Sequence, residues 1–205
     1  MLEKKLKAKI LNHISFGEND LSVFNTRNAV NLLPKTGSKK LNCVINMEKV
    51  NNIRRINKFH IKVNESLNDN SIYISCGETI EQRELRIKKK IIFGFKYIFI
   101  FIDFFYKRLM PKLPLTKHIY FFITRGHNRV LSKAEILGRL SSSGFKLVKY
   151  FNYKNKLYLI SQKIKLTKIS KKPSYGPLIS LYRVGYKRKI FKIYKFRTMH
   201  PYSEF

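Results

Sequence analysis

The sequence predicts an α/β fold, a sheet with flanking helices followed by a short basic β-hairpin. Three observations predict it. Residues 41–76 read as strand, helix, turn and strand, a β-α-β crossover with parallel pairing and right-handed winding. The run Ser132–Phe145 reads as a helix ending in Gly-Phe, and it leads into an antiparallel strand pair at Gly144–Val148 and Leu157–Gln162. Residues 178–184 and 190–196 flank Gly185 as a hairpin. At 205 residues the chain can hold one ordinary domain and a small appendage. Sixteen Phe and twelve Tyr can build its core without Trp.

Residues 2–14 fit a helix with Leu2, Leu6, Ile10 and Ile14 on one stripe. Leu21–Phe24 is a short strand, and Pro34–Ser38 a loop. Leu41–Ile45 is a strand, and Val50–Leu67 a helix whose Ile53, Ile56, Phe59 or His60, Val63 and Leu67 recur every three to four residues. Asn68–Asn70 is a turn and Ser71–Cys76 the next strand. A charged helix, Ile80–Lys90, runs into the apolar stretch Ile91–Phe105, which Pro111 and Pro114 close. His118–Thr124 reads as an apolar strand. Ser132 is placed to cap the helix that follows, with Glu135 completing a capping box. Residues 1–162 are expected to form the α/β domain, 163–175 a basic linker, and 176–205 a separate C-terminal unit.

The formal charge of +31 is unevenly spread. Residues 1–85 carry 14 Lys/Arg against 9 Asp/Glu, whereas residues 86–205 carry 29 against 3. The second part is drawn to polyanions: nucleic acid, anionic lipid headgroups or pyrophosphate-linked substrates. Cys43 and Cys76 sit in strand-like apolar runs and read as buried small hydrophobes in a reducing compartment. With no CxxC and no paired histidines, no metal site is expected. Met1–Leu11 is basic and amphipathic, without the apolar stretch and cleavage site of a signal peptide, so the protein is expected to face the cytoplasm.

The order of elements over residues 40–162 resembles the C-terminal half of a class I S-adenosylmethionine methyltransferase, a Rossmann-like fold. A cofactor-binding member needs a Gly-rich turn after its first strand and an acidic residue ending its second. Gly17 and Gly37 stand alone, and Glu18 and Asp20 lie in a loop-like patch. The resemblance therefore implies a degenerate scaffold that holds no cofactor.

A second likeness lies at the C-terminal end. Gly176-Pro177, Arg183-Val184-Gly185 and Phe191-Lys-Ile-Tyr-Lys-Phe-Arg-Thr-Met199 resemble the opening of the catalytic domain of bacterial polyprenyl-phosphate sugar phosphotransferases. These enzymes initiate exopolysaccharide and O-antigen synthesis. The resemblance implies transfer of a sugar-1-phosphate from a nucleotide sugar to polyprenyl phosphate, at the cytoplasmic face of the bacterial inner membrane. Two departures matter. Residues 163–175 are polar and basic where the family carries a hydrophobic re-entrant helix. The family's Asp-Glu-Leu-Pro stretch, which bears the carboxylate nucleophile, does not occur in the chain. The chain as written is expected not to turn over substrate, and Mg2+ belongs only to a complete catalytic domain.

Two candidate sites follow. The stretch Ile91–Phe105 spans about 22 Å as a helix, against a hydrocarbon core of about 30 Å. Lys96 and Asp103 interrupt it, which argues against a transmembrane helix. Flanked by Lys88-Lys89-Lys90 and by Lys107-Arg108, it suits a helix lying in an anionic headgroup layer, with Phe93, Phe95, Tyr97, Phe99 and Phe101 inserted. The competing reading is a buried core helix with snorkelling lysines. In the hairpin, Arg183, Lys192, Lys195 and Arg197 are phosphate-binding candidates. Alternation over 191–197 is expected to put basic and aromatic side chains on different faces. The rival to a lipid partner is a nucleic acid held non-specifically through its phosphates, although the sequence has no recognition helix or zinc knuckle. Oligomeric state is left open.

Overall fold

The computed structural model describes residues 3–14, 21–32, 41–91, 94–113, 115–167 and 178–196. The loop expected over Pro34–Ser38 and the linker from residue 168 onward lie outside the described residues.

The α/β expectation holds. Strands β1 (Leu21–Phe24), β2 (Leu41–Lys49), β3 (Leu67–Gly77), β4 (Phe145–Tyr153) and β5 (Lys156–Lys163) form one sheet in the order β1-β2-β3-β5-β4. β1, β2 and β3 are parallel; β5 is antiparallel to both β3 and β4. Helix α2 (Ile56–Ser66) is the crossover between β2 and β3. The β4–β5 turn folds the last strand back between β3 and β4, so β3 is covered on both edges. Residues 71–77 of β3 are all buried, as expected of a strand enclosed on both faces and both edges.

Period-two alternation sorts the sheet into two cores. Cys43, Ile45, Ile72, Ile74, Tyr158 and Ile160 point to one face, where Leu6 and Ile10 of α1 (Lys4–Leu11) close over them. Val44, Tyr73, Leu157 and Leu159 point to the other. There they meet Phe59 and Val63 of α2, and Ile136 and Leu140 of α6 (Lys133–Ser142). Both cysteines are free and buried, as expected, and burial pushes the Cys76 thiol up to about 11.

Four local expectations need correction. The helix expected from Val50 begins only at Ile56, because residues 50–52 form a 3-10 turn around the buried Asn51. Asn68–Asn70 is an irregular start to β3 rather than a separate turn: Leu67 pairs with Leu41 but Ile72 with Cys43, and Asn70 takes a left-handed φ of 61°. His118–Thr124 is helical, within α5 (Thr116–Thr124). At Ser132 half of the capping box forms. Its Oγ accepts from the Glu135 amide at 3.2 Å, while the Glu135 carboxylate turns to Arg139, with Nη2 at 2.8 Å from Oε1. A full box forms instead at α3 (Ile80–Lys90), between Thr79 and Gln82.

Asn51 joins the C-terminal end of β3 to the chain entering α6. Its Nδ2 donates to the carbonyls of Glu78 and Arg129, both at 2.8 Å, and its Oδ1 accepts from the Glu78 amide at 2.7 Å. Asn51→Ala would leave three buried backbone groups unpaired. At 1–3 kcal/mol for each unsatisfied group, partly offset by relaxation, unfolding free energy should drop by about 3 kcal/mol. A urea denaturation series checks this.

Candidate functional site

The Glu78 carboxylate lies just past β3, with its side chain only 2% exposed. It collects cations from two elements: Lys49 Nζ at 3.2 Å from the end of β2, and Arg86 Nε at 2.6 Å from α3. Arg83, also on α3, lies 3.6 Å from it. Arg83 then reaches across to α4 (Lys96–Phe104), where Nε and Nη2 clasp the two Asp103 oxygens at 2.5 and 2.9 Å. Its remaining Nη1 donates to Asn128 Oδ1 at 2.7 Å. Lys107, one turn beyond Asp103, donates to Oδ1 at 2.8 Å. Burial pushes both carboxyls up. The hydrogen bonds and charges of Arg86 and Lys49 on Glu78, and those of Arg83 and Lys107 on Asp103, outweigh it and hold both below the ordinary carboxylate range.

A second clamp holds the chain beyond α4. A π-helical turn at Phe105–Leu109 and a 3-10 turn at Met110–Lys112 link α4 towards α5. From them Arg108 and Lys112 approach Glu135 Oε2 of α6 at 3.6 and 3.8 Å. Residues 86–134 contain twelve Lys/Arg and one carboxylate, Asp103, and that one is turned inward. The charge this region shows to solvent is therefore cationic.

Helix α4 has no buried residue. Its inner side carries Ile100, Asp103 and Phe104, which are half-buried, whereas Phe95, Tyr97, Ile98, Phe99, Phe101 and Ile102 are more than half exposed. A helix that is apolar on nearly every side belongs in a core or in lipid. Here it lies on the outside, so the buried-core reading fails. Among the described residues, no helix is long and apolar enough to cross a membrane.

Of the sequence-predicted contact residues, Lys89, Lys90, Phe95, Tyr97, Phe99 and Phe101 are exposed together; Phe93 lies outside the described residues. Lys107 and Arg108 are half-buried and engaged with Asp103 and Glu135, not turned outward with the others. Sequence reasoning missed Arg83, whose partner is twenty residues away, and all of α5. Tyr120 is the one buried residue of α5, its ring edge-on to Tyr106 at 5.5 Å. Leu115, Ile119, Phe122 and Ile123 face outward. The i, i+4, i+7, i+8 spacing of those four was the available signal.

Strands β6 (Leu178–Val184) and β7 (Ile190–Phe196) form the expected antiparallel hairpin. The register pairs Arg183 with Phe191, and Ile179 with Lys195. Arg183 and Lys195 therefore share a face, but near opposite ends of the hairpin. Lys192 lies on the other face, beside Tyr194, its Nζ 5.2 Å from the ring centroid. Basic and aromatic side chains thus share faces, contrary to the expected segregation. Alternate residues of one strand stand together, so Lys192 and Tyr194 had to. These three cations do not converge on one phosphate, and Arg197 lies outside the described residues.

No family model matches the chain, and no curated protein matches it. Among solved structures, it is similar to a crystal structure of a possible exported protein from Bordetella parapertussis. That match has 10% identity and a TM-score of 0.38, and covers 67% of this chain and 43% of that one. The chain thus spans less than half the length of the structure it matches.

The clamps carry a pH prediction. Groups held below their ordinary values stabilise the fold at pH above about 4, and that stabilisation is lost as pH falls through the folded values. The wild-type urea midpoint should fall between pH 6 and pH 3, and the fall should be smaller in the Glu78→Gln/Asp103→Asn double variant. That variant should also start from a lower midpoint at pH 6.

Proposed function

We propose that this protein docks on an anionic membrane surface and belongs to the initiation of surface-polysaccharide synthesis, as part of a polyprenyl-phosphate sugar phosphotransferase system. The observation that carries the membrane reading is α4. Its exposed aromatic and aliphatic side chains adjoin Lys88, Lys89 and Lys90, all three exposed at the end of α3. Apolar rings enter the boundary between headgroups and acyl chains while the lysines meet the lipid phosphates. The helix rises about 1.5 Å per residue, too short to cross, so it lies in the interface plane. The pathway reading rests on the resemblance of residues 176–199 to the opening of the sugar phosphotransferase domain. In it Arg183 and Lys195, which share one face of the hairpin near its opposite ends, meet separate phosphates of the lipid carrier or the nucleotide sugar. Lys192 on the other face takes no part, and the membrane in question is the bacterial inner membrane.

Vesicle flotation tests the membrane reading. The protein should float with vesicles of phosphatidylglycerol and phosphatidylcholine, stay behind with phosphatidylcholine alone, and release as salt rises. At about 1 kcal/mol for each basic residue near the surface, changing Lys88, Lys89 and Lys90 to Gln should weaken partition about a hundredfold. Binding to DNA with steep salt dependence and no preference for anionic vesicles would overturn it in favour of a nucleic-acid partner. The pathway reading expects added polyprenyl phosphate to raise partition further, and an Arg183→Ala/Lys195→Ala variant to lose that increment alone.

A further inference from the structure

We infer that α5 is a second membrane-inserting arm, so that the lipid-facing surface is a helical pair, α4 and α5, rather than α4 alone; this rests on the membrane reading above. The amphipathic pattern of α5 is inverted with respect to the body of the protein. An amphipathic surface helix ordinarily turns its apolar stripe to the core. Here the core-facing side is Tyr120, Phe121 and Thr124, the last donating its hydroxyl to the Tyr120 carbonyl at 2.8 Å. Phe121 lies under Arg54, whose guanidinium is 5.2 Å from the ring centroid. The stripe Leu115, Ile119, Phe122 and Ile123 points away, with Leu115 85% and Phe122 87% exposed. Lys117, His118 and Arg125 are exposed around it.

Charge decides the occupant. Residues 104–134, which contain α5 and both its flanks, carry seven Lys/Arg and no carboxylate, and Asp103 just before them is turned inward and clamped. A second copy of this chain would bring the same cationic border against it and be repelled. An anionic bilayer supplies both the opposite charge and the apolar phase. The backbone agrees, since within a helix each N–H and C=O is already paired along its own segment, and only such backbone tolerates a medium without water. Among the described residues the β6–β7 hairpin pairs with no third strand, so its outer edges do not meet that condition. At nine residues α5, like α4, is too short to span the hydrocarbon, so both lie at interfacial depth, roughly 5–10 Å. The 105–112 turns, held to α6 through Arg108 and Lys112, fasten the pair to the body between its two arms.

The chain contains no Trp, so one introduced indole is an unambiguous reporter. Phe101→Trp and Phe122→Trp replace exposed rings and should fold. On vesicles of phosphatidylglycerol and phosphatidylcholine, both should shift emission to shorter wavelength and be quenched by lipids brominated near the carbonyl end of the acyl chain. Phe122→Glu should weaken flotation about tenfold, as loss of one inserted large apolar side chain predicts. If Phe101→Trp responds while Phe122→Trp stays at its aqueous emission, α5 is not an arm and the α4 reading stands. If neither responds, the membrane reading falls and this inference with it.

Discussion

Everything exposed by this fold depends on carboxylates that are not exposed. Glu78 stands at the end of the most buried strand and draws Lys49, Arg83 and Arg86 onto it. Arg83 passes the connection outward to Asp103, and so fixes α4 to α3 and to the sheet. A bidentate guanidinium–carboxylate pair specifies orientation as well as proximity. It sets which side of α4 faces the body, and hence which rings face out. Glu135 draws in the turns beyond α4 more loosely, through ion pairs of 3.6 Å to Arg108 and 3.8 Å to Lys112. Removing one partner of such a pair leaves a desolvated charge behind, which is why the pairs act as structure rather than ornament.

The same arrangement puts basic residues to two uses, and the inward set includes Lys49, Lys107 and Lys112 as well as arginines. Arg83, Arg86, Arg108 and Arg139 face inward onto carboxylates. Lys88, Lys89 and Lys90 are exposed. The planar fork of Arg suits fixed bidentate contacts such as that of Arg83 on Asp103, whereas Lys meets a carboxylate as a point charge. The composition alone, 43 basic residues, does not distinguish these two uses.

What was legible in the sequence was local. The hairpin at 178–184 and 190–196 could be read to the residue, because its alternation is anchored by the turn at Gly185. The helix after Ser132 could be read because its cap is a short-range signal. The β-α-β unit at 41–76 could be read because period changes from two to near 3.6 and back. The helical α5 could not. Its run of β-branched and aromatic residues suits a strand by propensity, but β2 and β5 already occupy both edges of β3. Nor could the clamps, since Arg83 and Asp103 are twenty residues apart, Arg108 and Glu135 twenty-seven. Nothing in local spacing marks such pairs. The α4 surface was half legible: its apolarity could be read directly, but whether it faced core or solvent was decided by the fold.

The hairpin's outer edges, which no third strand covers among the described residues, bear on handling the protein. Unpaired strand edges invite another strand, and natural proteins blunt them with charge, above all lysine. Here Arg183, Lys187, Arg188, Lys189, Lys192 and Lys195 do so, and residues 178–196 contain no acidic residue. That protection is electrostatic, and its range shrinks from about 10 Å at 0.1 M salt to about 3 Å at 1 M. The salt used to strip bound lipid or nucleic acid during purification thus also removes what keeps one hairpin from seeding a sheet with the next.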